Sequence, residues 1–224
     1  MKEFVFALDY EAGCNAIADT LLEHSDVGVR SLSCHVTPES VWRVDLVTGP
    51  PDGVDAIERV FLDPNHCTDC LAAPDCGAEC DNSVLDREDD TLVVYSRWSK
   101  AHACDSVPHL ALERLGDGLL FETRRSGRRY EWRVIAPDDA DVGGFHDALR
   151  AALCECTEIE FVRLTGLDPA VSGPTSDPDL PVEQVAALNA AVEHGYYETP
   201  RGIDLGALAD RLDVPRSTLS YRLR

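Results

Sequence analysis

The apolar residues of the first 164 positions change period in an order that occurs twice, and few folds accept that order. A strand over residues 4–8 is followed by a helix with Ile17, Leu21 and Leu22 on its apolar side. Two strands come next, near 27–36 and 41–47, the second with Trp42, Val44 and Leu46 at period two. A helix then carries Val54, Ile57 and Phe61 on one face. The order recurs with a strand at Leu92–Tyr95 and a helix over 106–115. Strands over 119–124 and 130–135 follow, paired around Ser126-Gly127. A helix with Val142, Phe145, Leu149 and Leu153 precedes a last strand holding Ile159 and Phe161. Strand-helix-strand-strand-helix, twice, is the split βαβ plan, so the pattern predicts an α+β region of two ferredoxin-like (βαββα) units, at 1–63 and 91–164. Residues 64–90 between them form an insert rich in Cys, Asp and Pro. Residues 165–180, with Pro169, Pro174 and Pro178 among Gly and Ser, read as a linker, and 181–224 as an all-α domain.

That last segment holds three helices. The first runs from about Val182 to His194 with Val185, Leu188 and Val192 inward, and Gly195 ends it. The second starts after Asp204, a good N-cap, and presents Leu205, Leu208, Ala209 and Leu212 at i, i+3, i+4 and i+7. A tight turn through Pro215 leads to the third, from Arg216. Leu219 and Leu223 anchor it one turn apart. Ser217, Ser220, Tyr221 and Arg224 share the other side, with Arg216 at its start. A helix-turn-helix needs this division: leucines lock the angle while hydroxyls, an aromatic ring and guanidinium groups reach bases and phosphates. Arg216, Ser217, Thr218, Ser220, Tyr221 and Arg224 are therefore the candidate contacts to double-stranded DNA. A bland alternative has Arg222 and Arg224 merely solvating a terminal helix. The spacing favours DNA.

The runs Gly195-Tyr196-Tyr197-Glu198-Thr199-Pro200-Arg201 and Ser217-Thr218-Leu219-Ser220-Tyr221, with Asp204-Leu205-Gly206-Ala207-Leu208-Ala209 between, resemble the haloarchaeal bacterio-opsin-activator type of regulator. The resemblance covers some 44 residues and implies a helix-turn-helix transcription regulator. The upstream region resembles that family's sensory portions only loosely. Pro215 stands where the family usually has Ser, which predicts a slightly shifted helix start. Arg224 ends the sequence where the family's helix continues for a turn or more: either the chain is a truncation or those further contacts are missing.

Acidic residues outnumber basic ones 41 to 20, giving a net charge of −21, and Lys2 and Lys100 are the only lysines. Acids spread along the whole chain suit a cytoplasm of concentrated salt, where carboxylate repulsion is screened. An acidic partner-binding face is the alternative. No signal-peptide core or membrane span is legible near Met1, so the sequence predicts a cytoplasmic protein.

Cysteines are then metal ligands, redox thiols or core residues before they are disulfides. Cys67, Cys70, Cys76 and Cys80 follow the spacing Cys-x2-Cys-x5-Cys-x3-Cys, suited to four thiolates on one tetrahedral centre. Zinc is favoured, an iron–sulfur cluster comes next, and metal-free thiol–disulfide switching third. His66, His102 and Cys104 are reserve ligands. Cys154 and Cys156, at a helix-to-strand junction, can pair with redox partners, but burial as small apolar residues is favoured; Cys14 and Cys34 read as core.

No phosphate-binding loop, dinucleotide fingerprint, nucleophile elbow or zinc-protease motif is present, and the acidic cluster Asp138, Asp139 and Asp141 suits a helix start better than catalysis. The chain is therefore expected to be no enzyme but a DNA-binding regulator with a metal- or redox-linked sensory region, and a homodimer on paired half-sites is compatible with that reading. Two alternatives stay open. One is a regulator answering to a small, amino-acid-type effector with purely structural zinc; the other is an interaction module that binds no DNA.

Overall fold

The two copies of the element order do not close on themselves. The computed structural model describes residues 1–63, 69–71, 80–99, 105–166, 182–197, 202–212 and 214–223, in two units, Met1–Asp168 and Pro169–Arg224. In the first unit the order is β1 (Lys2–Tyr10), α1 (Ala16–Glu23), β2 (Gly28–Val36), β3 (Ser40–Thr48), α2 (Pro51–Phe61) and β4 (Cys80–Glu88). It continues with β5 (Thr91–Ser99), α3 (Val107–Leu115), β6 (Leu120–Ser126), β7 (Arg129–Ala136), α4 (Val142–Ala152) and β8 (Thr157–Gly166). All eight strands join one antiparallel sheet in the order β4-β5-β3-β2-β6-β7-β1-β8. β1 lies between β7 and β8, and β5 between β3 and β4. Each copy thus lends its first strand to the other's half of the sheet. Two separate units at 1–63 and 91–164 are therefore replaced by one interlocked sheet.

Local chemistry sets the elements as the pattern indicates. Asn15 caps α1 by accepting from the Ala18 N–H, Ser106 caps α3 and Asp141 caps α4. Gly127, at φ 53°, makes the tight turn from β6 to β7. One strand escapes the pattern: β4 occupies 80–88 within the Cys-rich segment, because most of its residues are exposed at a sheet edge and show no apolar alternation. On α1, Leu22 faces solvent while Ile17, Ala18 and Leu21 are buried.

The inner face of the sheet carries two apolar clusters. Phe4, Phe6 and Leu8 of β1 pack with Trp132, Val134, Leu110, Phe145 and Leu149. Ile17, Leu21, Val54, Ile57 and Phe61 pack with Val29, Val47, Leu92 and Val94. A polar seam runs between them, and the alternation of β3 shows why. Trp42, Val44 and Leu46 are only half-buried; the buried face is Val41, Arg43, Asp45 and Val47. Val41 belongs to the first cluster and Val47 to the second.

The seam closes on Asp69, brought in by the Cys-rich segment. Its Oδ2 accepts from Arg43 Nη1 at 2.8 Å; its Oδ1 accepts from Arg125 Nη2 at 2.7 Å and from the Tyr130 hydroxyl at 2.9 Å. Arg43 also donates to Asp45 and to Thr123 Oγ1, and Arg125 lies 3.8 Å over the Tyr130 ring. All these charged groups are buried. Burial opposes the charge on Arg43, but Asp45, Tyr130 and Asp69 more than offset it and hold the guanidinium well above its ordinary pKa. Two buried cations thus face two buried anions. Leaving one of them without its partner costs about 3–5 kcal/mol.

Other ion pairs join Arg133 to Glu3 and Glu122, Arg163 to Glu3, and Arg129 to Asp9 and Glu160, on β1, β6, β7 and β8. Asp69→Ala, which removes the buried carboxylate that Arg43 and Arg125 share, is expected to lower the unfolding free energy of the first unit by about 3–5 kcal/mol in urea titrations at high KCl. Glu122→Ala, which removes an exposed partner of Arg133, is expected to change it by about 1 kcal/mol or less.

Candidate functional site

The C-terminal unit contains α5 (Val182–Glu193), α6 (Leu205–Arg211) and α7 (Arg216–Arg222). Its core is Ala187, Ala190, Ala191, Leu208, Ala209 and Leu219, with Ile203, Leu205, Leu212, Val214 and Leu223 packed against it. Gly195, at φ 69°, ends α5, and the Tyr196 N–H returns to the Ala191 carbonyl at 2.8 Å, the bond that closes a Schellman cap. Of the residues expected inward on α5, Val192 is 68% exposed, Leu188 is half-buried and the Val185 side chain lies outside those described; Ala187, Ala190 and Ala191 are buried.

Asp204 caps α6 by accepting from the Gly206 and Ala207 N–H groups at 2.7 and 2.9 Å. Those two bonds, that of Ala207 first, hold its carboxyl below the ordinary value of 3.8. Pro215 occupies the N-cap of α7 without a side-chain cap bond, and its carbonyl accepts from the Leu219 N–H at 3.0 Å. The helix starts at Arg216 with its first turn intact.

Leu219 is buried, which fixes the roll of α7. Arg216 and Ser217 are exposed, Tyr221 is 75% exposed, and Thr218 and Ser220 are half-buried. Arg216, Ser217 and Tyr221 therefore stand away from the core, with Ser220 at its margin. Arg224 lies outside the described residues.

The four spaced cysteines are only partly described. Cys70 bridges to Ser106 at the start of α3, and Cys80 opens β4 opposite Trp98; Cys67 and Cys76 lie outside the described residues, as do His66, His102 and Cys104. Cys34 is core, and burial pushes its thiol up to about 12, so it stays protonated. Cys14, Cys154 and Cys156 are not core. All three are half-buried, Cys14 and Cys156 form a disulfide, and the three sulfurs lie close enough together to hold one metal ion. The sequence signal for this cluster is limited to the Cys-x-Cys spacing at 154 and 156, because Cys14 stands some 140 residues away.

Residues 3–170 match the family described as HVO_2928_N, N-terminal, over three quarters of the chain. The chain belongs to the HVO_2928_N family. Residues 181–224 of this HVO_2928_N protein match a second family, described as HTH DNA binding domain; the bacterio-opsin-activator type of helix-turn-helix read from the sequence is the type found. The dimethyl sulfoxide reductase transcriptional activator of Haloferax volcanii is 50% identical over 44 residues, which are 20% of this chain and 21% of that protein. The chain thus matches only about a fifth of that curated relative's length. No helix among the described residues is long and apolar enough to cross a membrane.

In the HVO_2928_N protein the Asp204 cap holds the first turn of α6, so its titration has a readable sign. A carboxyl whose folded pKa is lowered stabilises above its ordinary value and loses that contribution as pH falls through the folded value. Asp204→Ala is expected to lower the thermal midpoint of the C-terminal unit near neutral pH, and to have a diminishing effect as the pH falls below 3.8. Circular dichroism melts across pH will show it.

Proposed function

We propose that the protein is a DNA-binding transcription regulator in which α7 enters the major groove. Arg216, Ser217, Thr218, Ser220, Tyr221 and Arg224 make the contacts, and the unit before it is the sensory region. One observation carries this: within a segment that matches the helix-turn-helix family, Leu219 is buried and Arg216, Ser217 and Tyr221 are left exposed beside it. The match to a transcriptional activator over 44 residues supports it. Residues 215–224 carry three arginines and no acid within a chain of −21, which supports it electrostatically. In molar salt the Debye length is about 3 Å, so distant carboxylates scarcely act on the phosphates. Counterion release also contributes less as salt rises, which leaves direct contacts by α7 to supply more of the affinity. Half-site recognition by a helix-turn-helix ordinarily takes two copies, and a homodimer is part of this reading.

On the same reading the sensory unit is two interlocked ferredoxin-like units, linked to a metal or redox input. Cys67, Cys70, Cys76 and Cys80 would hold zinc, or an iron–sulfur cluster, whose role would be to staple the segment that delivers Asp69. Thiolate donors are soft and suit either group. Metal analysis of anaerobically purified protein separates the two: bound zinc and no colour against bound iron and brown colour.

In gel shifts at high KCl, Arg216→Ala and Tyr221→Ala are each expected to abolish retardation at protein concentrations that fully shift the parent, a loss of about tenfold or more. Unchanged shifts for both would remove α7 from the interface.

A further inference from the structure

Two loops meet at one end of the β1–β8 pair. The ladder ends at Tyr10 opposite Thr157. Beyond it the Glu11 N–H donates to the Cys156 carbonyl at 2.9 Å, and the Cys14 N–H donates to the Glu11 carbonyl at 3.2 Å. On the other loop the Thr157 N–H donates to the Cys154 carbonyl at 3.1 Å, and the Cys154 N–H donates to the Leu71 carbonyl at 3.2 Å. This main-chain frame brings three sulfurs from two distant stretches of sequence together. Cys154 Sγ lies 3.5 Å from Cys14 Sγ and 3.3 Å from Cys156 Sγ, and Cys14 and Cys156 are disulfide-bonded. Thr157 Oγ1 sits 3.1 Å from Cys154 Sγ and 3.4 Å from Cys14 Sγ.

We propose that Cys14, Cys154 and Cys156 form a site for a thiophilic divalent metal ion of the zinc class, open when the Cys14–Cys156 disulfide is reduced and closed when it forms. Three thiolates on one tetrahedral zinc, at about 2.3 Å each, stand about 3.8 Å apart. Two of the three separations here are within about half an ångström of that. The hydrogen bonds that hold the loops are main-chain bonds that do not involve the disulfide, so its opening leaves the ligands in place. Every donor is sulfur, which selects soft or borderline ions over magnesium or calcium. The Thr157 hydroxyl is placed to donate to a thiolate, the supporting role that outer hydrogen bonds play around metal ligands. Among the described residues three donors converge here, and a fourth ligand such as water would complete the tetrahedron.

A dithiol reductant delivers two electrons and two protons to the Cys14–Cys156 bond and itself becomes a disulfide, leaving three thiols. The ion then binds with release of the three thiol protons. Exchange with a disulfide oxidant, which takes up the two electrons and two protons and becomes two thiols, rejoins Cys14 to Cys156 and removes two of the three donors, and with them the ion. This gate does not rest on the DNA reading.

The test uses the full chain, reduced with a phosphine under anaerobic conditions and titrated with Zn²⁺ or Co²⁺, beside Cys14→Ser, Cys154→Ser and Cys154→Ala. The parent is expected to bind one equivalent more than each variant, with cobalt giving thiolate charge-transfer absorption. Diamide is expected to release that equivalent and to yield a linked Cys14–Cys156 peptide in mass spectrometry. The Cys154 variants keep both disulfide cysteines, so their folding is checked in the oxidised form by circular dichroism. Equal metal stoichiometry in the parent and all three variants would overturn the proposal and leave thiol–disulfide switching without metal. Retention of the extra equivalent after the disulfide has formed would overturn the gate.

Discussion

The carboxylate of Asp69, held between Arg43 and Arg125 with the Tyr130 hydroxyl beside it, is the interaction on which the first unit depends. A sheet whose inner face buries Arg43, Asp45 and Arg125 cannot close without counter-charges, because burying an unpaired charge costs several kcal/mol. Asp45 lies two residues from Arg43 on the same strand, but Arg125 comes from β6 and Asp69 from the Cys-rich segment. The seam therefore ties both halves of the sheet to a segment that has little apolar surface of its own. Leu71, two residues on, is buried in the first apolar cluster and accepts from the Cys154 N–H. Charge and packing hold the same short stretch.

That seam also divides the core of the first unit into two apolar clusters. On β3 the buried residues run Val41, Arg43, Asp45, Val47, and on β5 they run Leu92, Val94, Ser96, Trp98, so polar groups lie between the clusters on both strands. The exchange of β1 and β5 then matters for cohesion. The strand that carries Phe4, Phe6 and Leu8 pairs with β7 and β8, so the first cluster cannot form until residues 2–10 meet residues 129–166. Contacts of such long sequence separation make folding slow.

Much of this was legible in the sequence. Every strand and helix apart from β4 follows from periodicity, and the helix-turn-helix follows from Leu208, Leu212, Leu219 and the Asp204 cap. What was not legible depends on partners far away in the chain. On β3 the period-two run Trp42, Val44 and Leu46 lies on the half-buried face, and the fully buried face carries Arg43, which finds Asp69 and Thr123, partners that no local pattern announces. Cys14 reads as core because its partner is Cys156. On α5 the buried residues are Ala187, Ala190 and Ala191, whereas Val192 is exposed, a choice set by the packing of Leu208, Ala209 and Leu219 from later helices.

The C-terminal unit follows the opposite logic, since none of its described polar side chains is fully buried. Arg216, Ser217 and Tyr221 have no role in its core, whereas Leu219 fixes which way they point. A surface of arginine, serine and tyrosine on a short helix in so acidic a chain is suited to a polyanion that must be recognised at close range. Hydrogen–deuterium exchange of the intact protein with and without its promoter DNA, at molar KCl, tests that directly. The account predicts slowed exchange in peptides spanning residues 205–223. Unchanged exchange there, with protection confined to the strands of the first unit, would contradict it.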